Sequence, residues 1–167
     1  MNIFTWLLIV VAALAVLVVT AGQLGWLQGT PPADLGVHDG RLKPPSDSKN
    51  SVSSQAALHP DHPQRNHSAI APLALRGDGP ATLARIKTIV AGMAGAKLLR
   101  SDAAYLYVQF TTSVLKFVDD TEFCFDPVNQ VIQVRSASRV GRDDLGVNRR
   151  RIETIRAALE GKFSVPF

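Results

Sequence analysis

The stretch TEFCFDPVNQVIQVRSA, residues 121–137, decides how this chain folds. Thr121–Phe125 and Val131–Ala137 are two β-prone runs around the turn-forming residues Asp126–Gln130. Successive side chains of a strand point to opposite faces, so parity fixes the register. Pairing Phe125 with Ile132 and Phe123 with Val134 gathers four apolar side chains on one face. It leaves the loop Pro127–Gln130, four residues long, a common hairpin length. The same register sets Glu122 opposite Arg135, with Asp120 within two residues of it. A slip by one residue would mix the faces.

The pattern extends outward on both sides. Tyr105–Thr111 alternates, with Leu106, Val108 and Phe110 on one face and Tyr105, Tyr107 and Gln109 on the other. Asp78-Gly-Pro80 opens a helix, and Leu83, Ile86, Val90 and Met93 form its apolar stripe until Gly92 and Gly95 end it. Ile70–Leu75 reads as a short edge strand, because Pro72 cannot donate to a central ladder. Downstream, Asn148, Ile152, Ile155 and Leu159 line one side of a helix from about Leu145 to Glu160. Asp143 and Asp144 suit its N-terminal end, and Arg149–Glu153 and Arg156–Glu160 are expected as i,i+4 pairs on its exposed side. The expected fold class is α+β: an N-terminal transmembrane helix, then an antiparallel β-sheet with two helices packed on one face.

The transmembrane expectation rests on residues 1–33, which contain no Asp, Glu, Lys, Arg or His. Ile3–Ala21 would span roughly 28 Å as a helix, close to the hydrocarbon thickness of a bilayer. Trp6 and Trp26 flank the run, where interfacial aromatics belong. A cleaved signal peptide is the competing reading. Against it stand the missing basic n-region, the length of the run and the poor cleavage match at Thr20-Ala21-Gly22. Residues 3–21 are therefore expected to hold the chain in a bilayer. The setting expected is the cytoplasmic (inner) membrane, single-pass, with the C-terminal domain extracytoplasmic. The expected division is an anchor over 1–27, a Pro/Ser-rich linker over 28–66 and an α+β domain over 67–163. Sustained apolar periodicity is missing from 28–66, and its prolines suggest a spacer that holds the domain off the membrane.

Composition narrows function. The net charge of +4 is modest, and an extracytoplasmic domain has little access to nucleic acid, so none is expected as partner. Cys124 is the single cysteine and has no intramolecular disulfide partner; between two phenylalanines it reads as a small packing residue. His59, His62 and His67 cluster beside Asp61, but a proline-flanked flexible setting offers no preformed metal site. The sequence holds no phosphate loop, GxSxG elbow or zinc-protease helix. No cofactor, metal or catalytic residue is assigned.

Three strings, Val52-Ser-Ser-Gln55, Phe117-Val-Asp-Asp-Thr-Glu-Phe123 and Arg135–Arg149 (RSASRVGRDDLGVNR), resemble in order and spacing the bacterial and plastid family called domain of unknown function 1499. The resemblance runs from about Gly40 to about Leu159. It implies an extracytoplasmic setting behind an apolar N-terminal segment, and carries no established activity. It also implies that Arg41–Gln55, about residues 40–55 of the composition-based linker, belongs to the folded unit. Family members usually carry cysteines near Pro45 and at the position of Ser51, and this chain has neither.

The best candidate site is the acidic and basic group Asp119, Asp120, Glu122, Arg135 and Arg139. The plain reading is a cross-strand ion-pair network that sets register; the functional readings are ligand binding or acid/base work. Tyr105 and Tyr107, with Gln109, Glu122, Gln133 and Arg135, are expected on a solvent-facing side of the sheet, which would make a usable binding surface. Asn148 sits on an apolar stripe and must be hydrogen-bonded, with the Gly141–Asp144 turn as its expected partner. Arg149 belongs to the arginine-rich segment Arg135–Arg156, a basic face for anions or for solvent. Candidate binding residues are thus Tyr105, Tyr107, Asp120, Glu122, Arg135, Arg139, Asn148 and Arg149. Two functions remain open: a binding or scaffolding module for an envelope protein or anionic ligand, and an enzyme using Asp120 or Glu122 with Arg135 and Arg139 on an anionic substrate.

Overall fold

The computed structural model describes residues 2–162; Met1 and residue 163, the outer ends of two expected ranges, lie outside the described residues. Helix α1 spans Ile3–Gln23, its first turn capped by Asn2, whose side chain accepts from the Thr5 N–H. Among the described residues it is the one helix long and apolar enough to cross a membrane. Those properties are equally those of a signal sequence.

Strands β1 (Ser51–Ser53), β2 (Leu73–Ala74), β3 (Ala96–Ser101), β4 (Tyr105–Thr111), β5 (Val118–Asp126) and β6 (Val131–Ser138) form one antiparallel sheet in the order β1-β6-β5-β4-β3. Strand β2 shares the free edge of β6 with β1. The hairpin has the expected register: Phe125 faces Ile132, Phe123 faces Val134 and Glu122 faces Arg135. Helices α3 (Gly79–Ala91) and α4 (Val147–Leu159) pack on the apolar face and on each other. Phe123, Val134, Ile132, Leu106 and Val108 meet Leu83, Ile86, Val90, Ile152 and Ile155 there in one buried core. Asp78 caps α3 by accepting from the Ala81 N–H, with Pro80 in the first turn. Gly79 lies so close to the Phe125 ring that a Cβ would come within 2.3 Å of it. A short helix α2 (Arg65–Ser68) leads toward β2.

Four expectations need correction. First, residues 28–66 do not stand free throughout as the composition suggests; Arg41–Gln55 belongs to the folded unit, as the resemblance implies. Ser51–Ser53 is a sheet strand, Leu42, Pro45, Asn50 and Gln55 are buried, and the chain from Asp34 to Gln55 lies across the second face of the sheet. Apolar periodicity could not reveal this, because the segment is held by hydrogen bonds to side chains of the sheet. Ser51 Oγ, at a position where the resemblance implies a cysteine, accepts from the Ser46 N–H at 2.9 Å. Second, the C-terminal end of α1 itself touches the domain. Gly22 packs against Leu115, and Gln23 Nε2 donates to the Val114 carbonyl at 2.8 Å. Third, Arg149 does not pair with Glu153; its guanidinium donates to the carbonyls of His67 and Ala69. Arg156 likewise donates to Ala71 and Pro72, and pairs with Glu153 rather than Glu160. These arginines fasten the 67–72 segment to α4. Fourth, β3 was not expected, because its sequence AKLLRS does not alternate; the register shifts between Leu98 and Arg100, so a bulge breaks the period.

Candidate functional site

The alternation that buries Phe123 and Val134 under the helices sends Asp120, Glu122, Arg135, Tyr105 and Tyr107 to the opposite face. That face is not wet. Tyr105 is 4 % exposed, Glu122 0 % and Arg135 3 %, because the chain from Gly36 to Pro44 roofs them. The expectation of a solvent-facing surface is therefore corrected: these polar side chains satisfy one another and the roof instead of water.

Glu122 gathers the first group. Its Oε1 accepts from the Tyr105 hydroxyl at 2.6 Å and from the Gly36 N–H of the roof at 2.7 Å. Gly36 has φ +119°, a backbone conformation that suits glycine. The other oxygen, Oε2, is buried without a hydrogen-bond partner, and Arg135 Nη1 stands 3.7 Å away, beyond hydrogen-bond range. Burial and the Glu122 carboxylate beside it raise the Tyr105 pKa, so the phenol stays a donor.

Asp120 gathers the second group. Its two oxygens accept from Arg139 Nε and Nη2, each at 2.8 Å, in a fork geometry, and Oδ1 also accepts from the Tyr107 hydroxyl at 2.5 Å. The Gln109 amide, with its oxygen toward Arg139, accepts from Nη2 at 3.0 Å. The hydrogen bond to Asp120 raises the Arg139 pKa, and burial followed by the Asp120 hydrogen bond pushes Tyr107 up to about 12. Both Asp120 oxygens are hydrogen-bonded, Oδ1 twice and Oδ2 once, so the carboxylate holds Arg139 and Tyr107 in place.

Arg135 differs. Its Nε donates to the Pro44 carbonyl of the roof at 3.1 Å, its one hydrogen bond to a described residue. Burial lowers its pKa, with Glu122 opposing that shift. The side chain borders a cavity of about 260 Å³, also lined by Arg139, Asp120 and Ser138 from the sheet and by Thr30, Pro32, Lys43, Ser46 and Asp47 from the preceding segment. Lys43 pairs with Asp34 outside it, and the exposed Asp47 lies 3.4 Å from the His62 ring. The guanidinium thus offers unused N–H donors to a space the size of a small anion.

Asp119, expected with this group, points the other way. It pairs with Arg151 of α4, whose guanidinium stacks over Phe110 at 4.4 Å. Asn148 is fully buried at the same end of the helix face. Its amide nitrogen donates to Asp144 Oδ2, Ser138 Oγ and the Asn50 carbonyl, and its oxygen accepts from Ser136 and Arg151. The turn residue that Asn148 meets is Asp144, through its carboxylate and not through the turn's backbone as expected, and the rest of the network ties the Asn50 loop to α4. Burial opposes ionisation of Asp144, yet the N–H groups of Asn148 and Gly146 hold its pKa below the usual value. Asn148 and Arg149 therefore lie apart from the Arg135 cavity, and Tyr105, Tyr107, Asp120, Glu122, Arg135 and Arg139 come together at it or directly beneath the roof.

Sequence reasoning missed Gly36, Pro44 and Lys43. The resemblance over Arg41–Gln55 touched Lys43 and Pro44, and no signal touched Gly36. Among the described residues, no group of three or more His, Cys, Asp or Glu is placed to hold a metal ion. Cys124 is free and buried beside Leu42 and Tyr105, and burial raises its pKa to about 11.

The fold and site define an antiparallel α+β domain behind an apolar N-terminal helix, with a roofed polar face. A family model described as protein of unknown function (DUF1499) matches residues 41–159, and the chain belongs to that family. No curated protein and no solved structure matches the chain significantly.

Proposed function

We propose that this chain is a membrane-anchored extracytoplasmic module that binds a small anionic ligand in the cavity beside Arg135. The observation that carries the reading is a buried guanidinium with one hydrogen bond to the described residues, set on a cavity of about 260 Å³. A buried charge without full hydrogen bonding is costly, and an anion accepting from the open donors relieves that cost. Arg139 and Lys43 also line the space, paired with Asp120 and Asp34, which leaves Arg135 as the lining cation with unused donors. The binding reading is favoured over an enzyme using Asp120 or Glu122 because Asp120 is held by Arg139 and Tyr107, while Glu122, whose Oε2 is unbonded, is fully buried.

Retention of α1 as an anchor is part of the proposal. It is supported by the absence of charge through residue 33 and by the packing of Gly22 and Gln23 on the folded domain. Intact mass of the membrane-extracted chain is expected to include residues 2–27, and a shortened mature chain would contradict the anchor. Labelling of Val128→Cys by a membrane-impermeant maleimide in whole cells is expected, because residue 128 is exposed in the hairpin loop and the native Cys124 is buried. Protection of that site until the membrane is broken would reverse the orientation. For the ligand, inorganic phosphate titrated into the detergent-solubilised full chain should give saturable heat that Arg135→Gln abolishes. Equal heats in both would contradict the site.

A further inference from the structure

Strand register places the Arg135 cavity at the end of the sheet where α1 leaves the domain. Asp119 pairs with Ser138, and the Arg139 N–H donates to the Val118 carbonyl at 3.0 Å, so the start of β5 and the end of β6 lie together. The loop before β5, residues 112–117, is the one α1 touches. A Cβ on Gly22 would lie 2.6 Å from the Leu115 carbonyl oxygen, and Gln23 Nε2 donates to the carbonyls of Ser113 and Val114. Asp120 stands two residues into β5, about 7 Å along the strand from Val118. The connection from α1 reaches the cavity directly. After a turn in which the Trp26 N–H donates to the Ala21 carbonyl, Gly29 lies against the Arg139 and Val140 side chains, and Thr30 and Pro32 enter the cavity wall.

The same end carries apolar surface. Leu24, Trp26, Val114 and Val140 are all exposed there, Trp26 at 76 %. Tryptophan at the end of an apolar helix belongs to the headgroup layer. One exposed side of α1, from Ala12 to Trp26, is apolar, with Ala12, Ala13 and Ala21 set among Val16, Leu17 and Leu24. The cavity that Arg135 borders and the apolar side of α1 are thus joined by a connection that touches both.

From this placement, and resting on the anion-binding reading above, we infer that the ligand is the phosphate of an anionic membrane lipid, taken by Arg135 from the surface of the bilayer that holds α1. The headgroup occupies the polar cavity and the acyl chains stay along α1. A cavity of this size admits a phosphate with a short polar substituent.

The experiment uses the full chain in nanodiscs of phosphatidylcholine and phosphatidylglycerol in equal amounts, with native mass spectrometry of the lipid retained on release. A parallel arm titrates glycerol 1-phosphate into the chain in phosphatidylcholine nanodiscs. Wild type is expected to retain phosphatidylglycerol with a preference of roughly five-fold, the factor one basic side chain carries near an anionic surface. Arg135→Gln should remove both the preference and the glycerol phosphate binding. Thr30→Trp, an exposed substitution at the cavity wall that touches no ion pair, should do the same if Arg135→Gln fails to fold. Gly22→Leu, which displaces α1 from the Leu115 loop, should remove the lipid preference and leave glycerol phosphate binding intact. Arg135-dependent binding of glycerol phosphate without a lipid preference would overturn the lipid source while the anion site stands. A preference that survives both Arg135→Gln and Thr30→Trp would assign the lipid to the α1 surface and overturn the inference. Binding in neither arm would overturn the anion site as well.

Discussion

The two faces of one sheet are buried by different means. The helix face is filled by apolar side chains whose periodicity matches that of the helices covering it. The roofed face is filled by Tyr105, Tyr107, Asp120, Glu122, Arg135 and Arg139 and covered by a segment with little regular structure. On the first face burial itself stabilises, roughly in proportion to area. On the second, burial is tolerable because hydrogen bonds replace water, and where one is missing, at Arg135 and Glu122, the face has capacity for something else. An apolar face tells where the core is, and an incompletely bonded polar face tells where to look for a ligand.

The comparison breaks most visibly at its apolar side. Phe123→Ala removes the largest fully buried side chain, and should cost about 3–5 kcal/mol in urea unfolding of the full chain. That is a large part of the roughly 5–15 kcal/mol that holds a typical domain. On the roofed side, Glu122→Leu strands the Tyr105 hydroxyl, the Gly36 N–H and the Arg135 charge. A loss of about 3 kcal/mol is expected. The double change Glu122→Leu with Arg135→Met should recover much of it, which Phe123→Ala paired with a neighbouring truncation should not. Tyr107→Phe sharpens the contrast on a smaller scale. It removes one donor to Asp120 and should cost about 1 kcal/mol, and in wild type the Tyr107 phenolate absorbance should not rise until pH approaches 12.

The smallest effect lies in the hairpin loop that joins the two faces. Asp126 accepts from the side chain and N–H of Asn129, which holds its pKa at about 2, below the ordinary 3.8. A depressed carboxylate stabilises the fold above the unfolded pKa and loses that contribution as pH falls through the folded one. The window is therefore about pH 4 to 2. The site is solvent-screened, so a few tenths of a kcal/mol are expected. Asp126→Asn should flatten stability across that window in acid titration followed by circular dichroism.

Much of the helix face was legible because its physics is periodic. The pairs Phe125–Ile132 and Phe123–Val134 follow from parity, and Leu83, Ile86 and Val90 follow from helical spacing. The roof was not legible because alternation reports which side chains are polar and not whether they are dry. Tyr105 and Glu122 look identical in sequence whether they meet water or each other. Nothing periodic marks Gly36 or the Pro44 carbonyl, which act through backbone groups that every residue has. Arg149 was misassigned for a related reason. An exposed i,i+4 partner gains little, and the carbonyls of His67 and Ala69 were out of view in sequence. Strand β3 escaped because the bulge at Leu99 breaks its alternation.

The central claim is that Arg135 keeps unused donors on a roofed cavity for an anion. Its most direct test is nitrogen-15 NMR of the arginine side chains in the full chain during titration with glycerol 1-phosphate. The Arg135 guanidinium signals are expected to shift saturably and slow their exchange with water, while Arg149 and Arg156, already bonded to carbonyls, stay in place. An Arg135 signal that never moves, or one that moves only as much as those of Arg149 and Arg156, would contradict it.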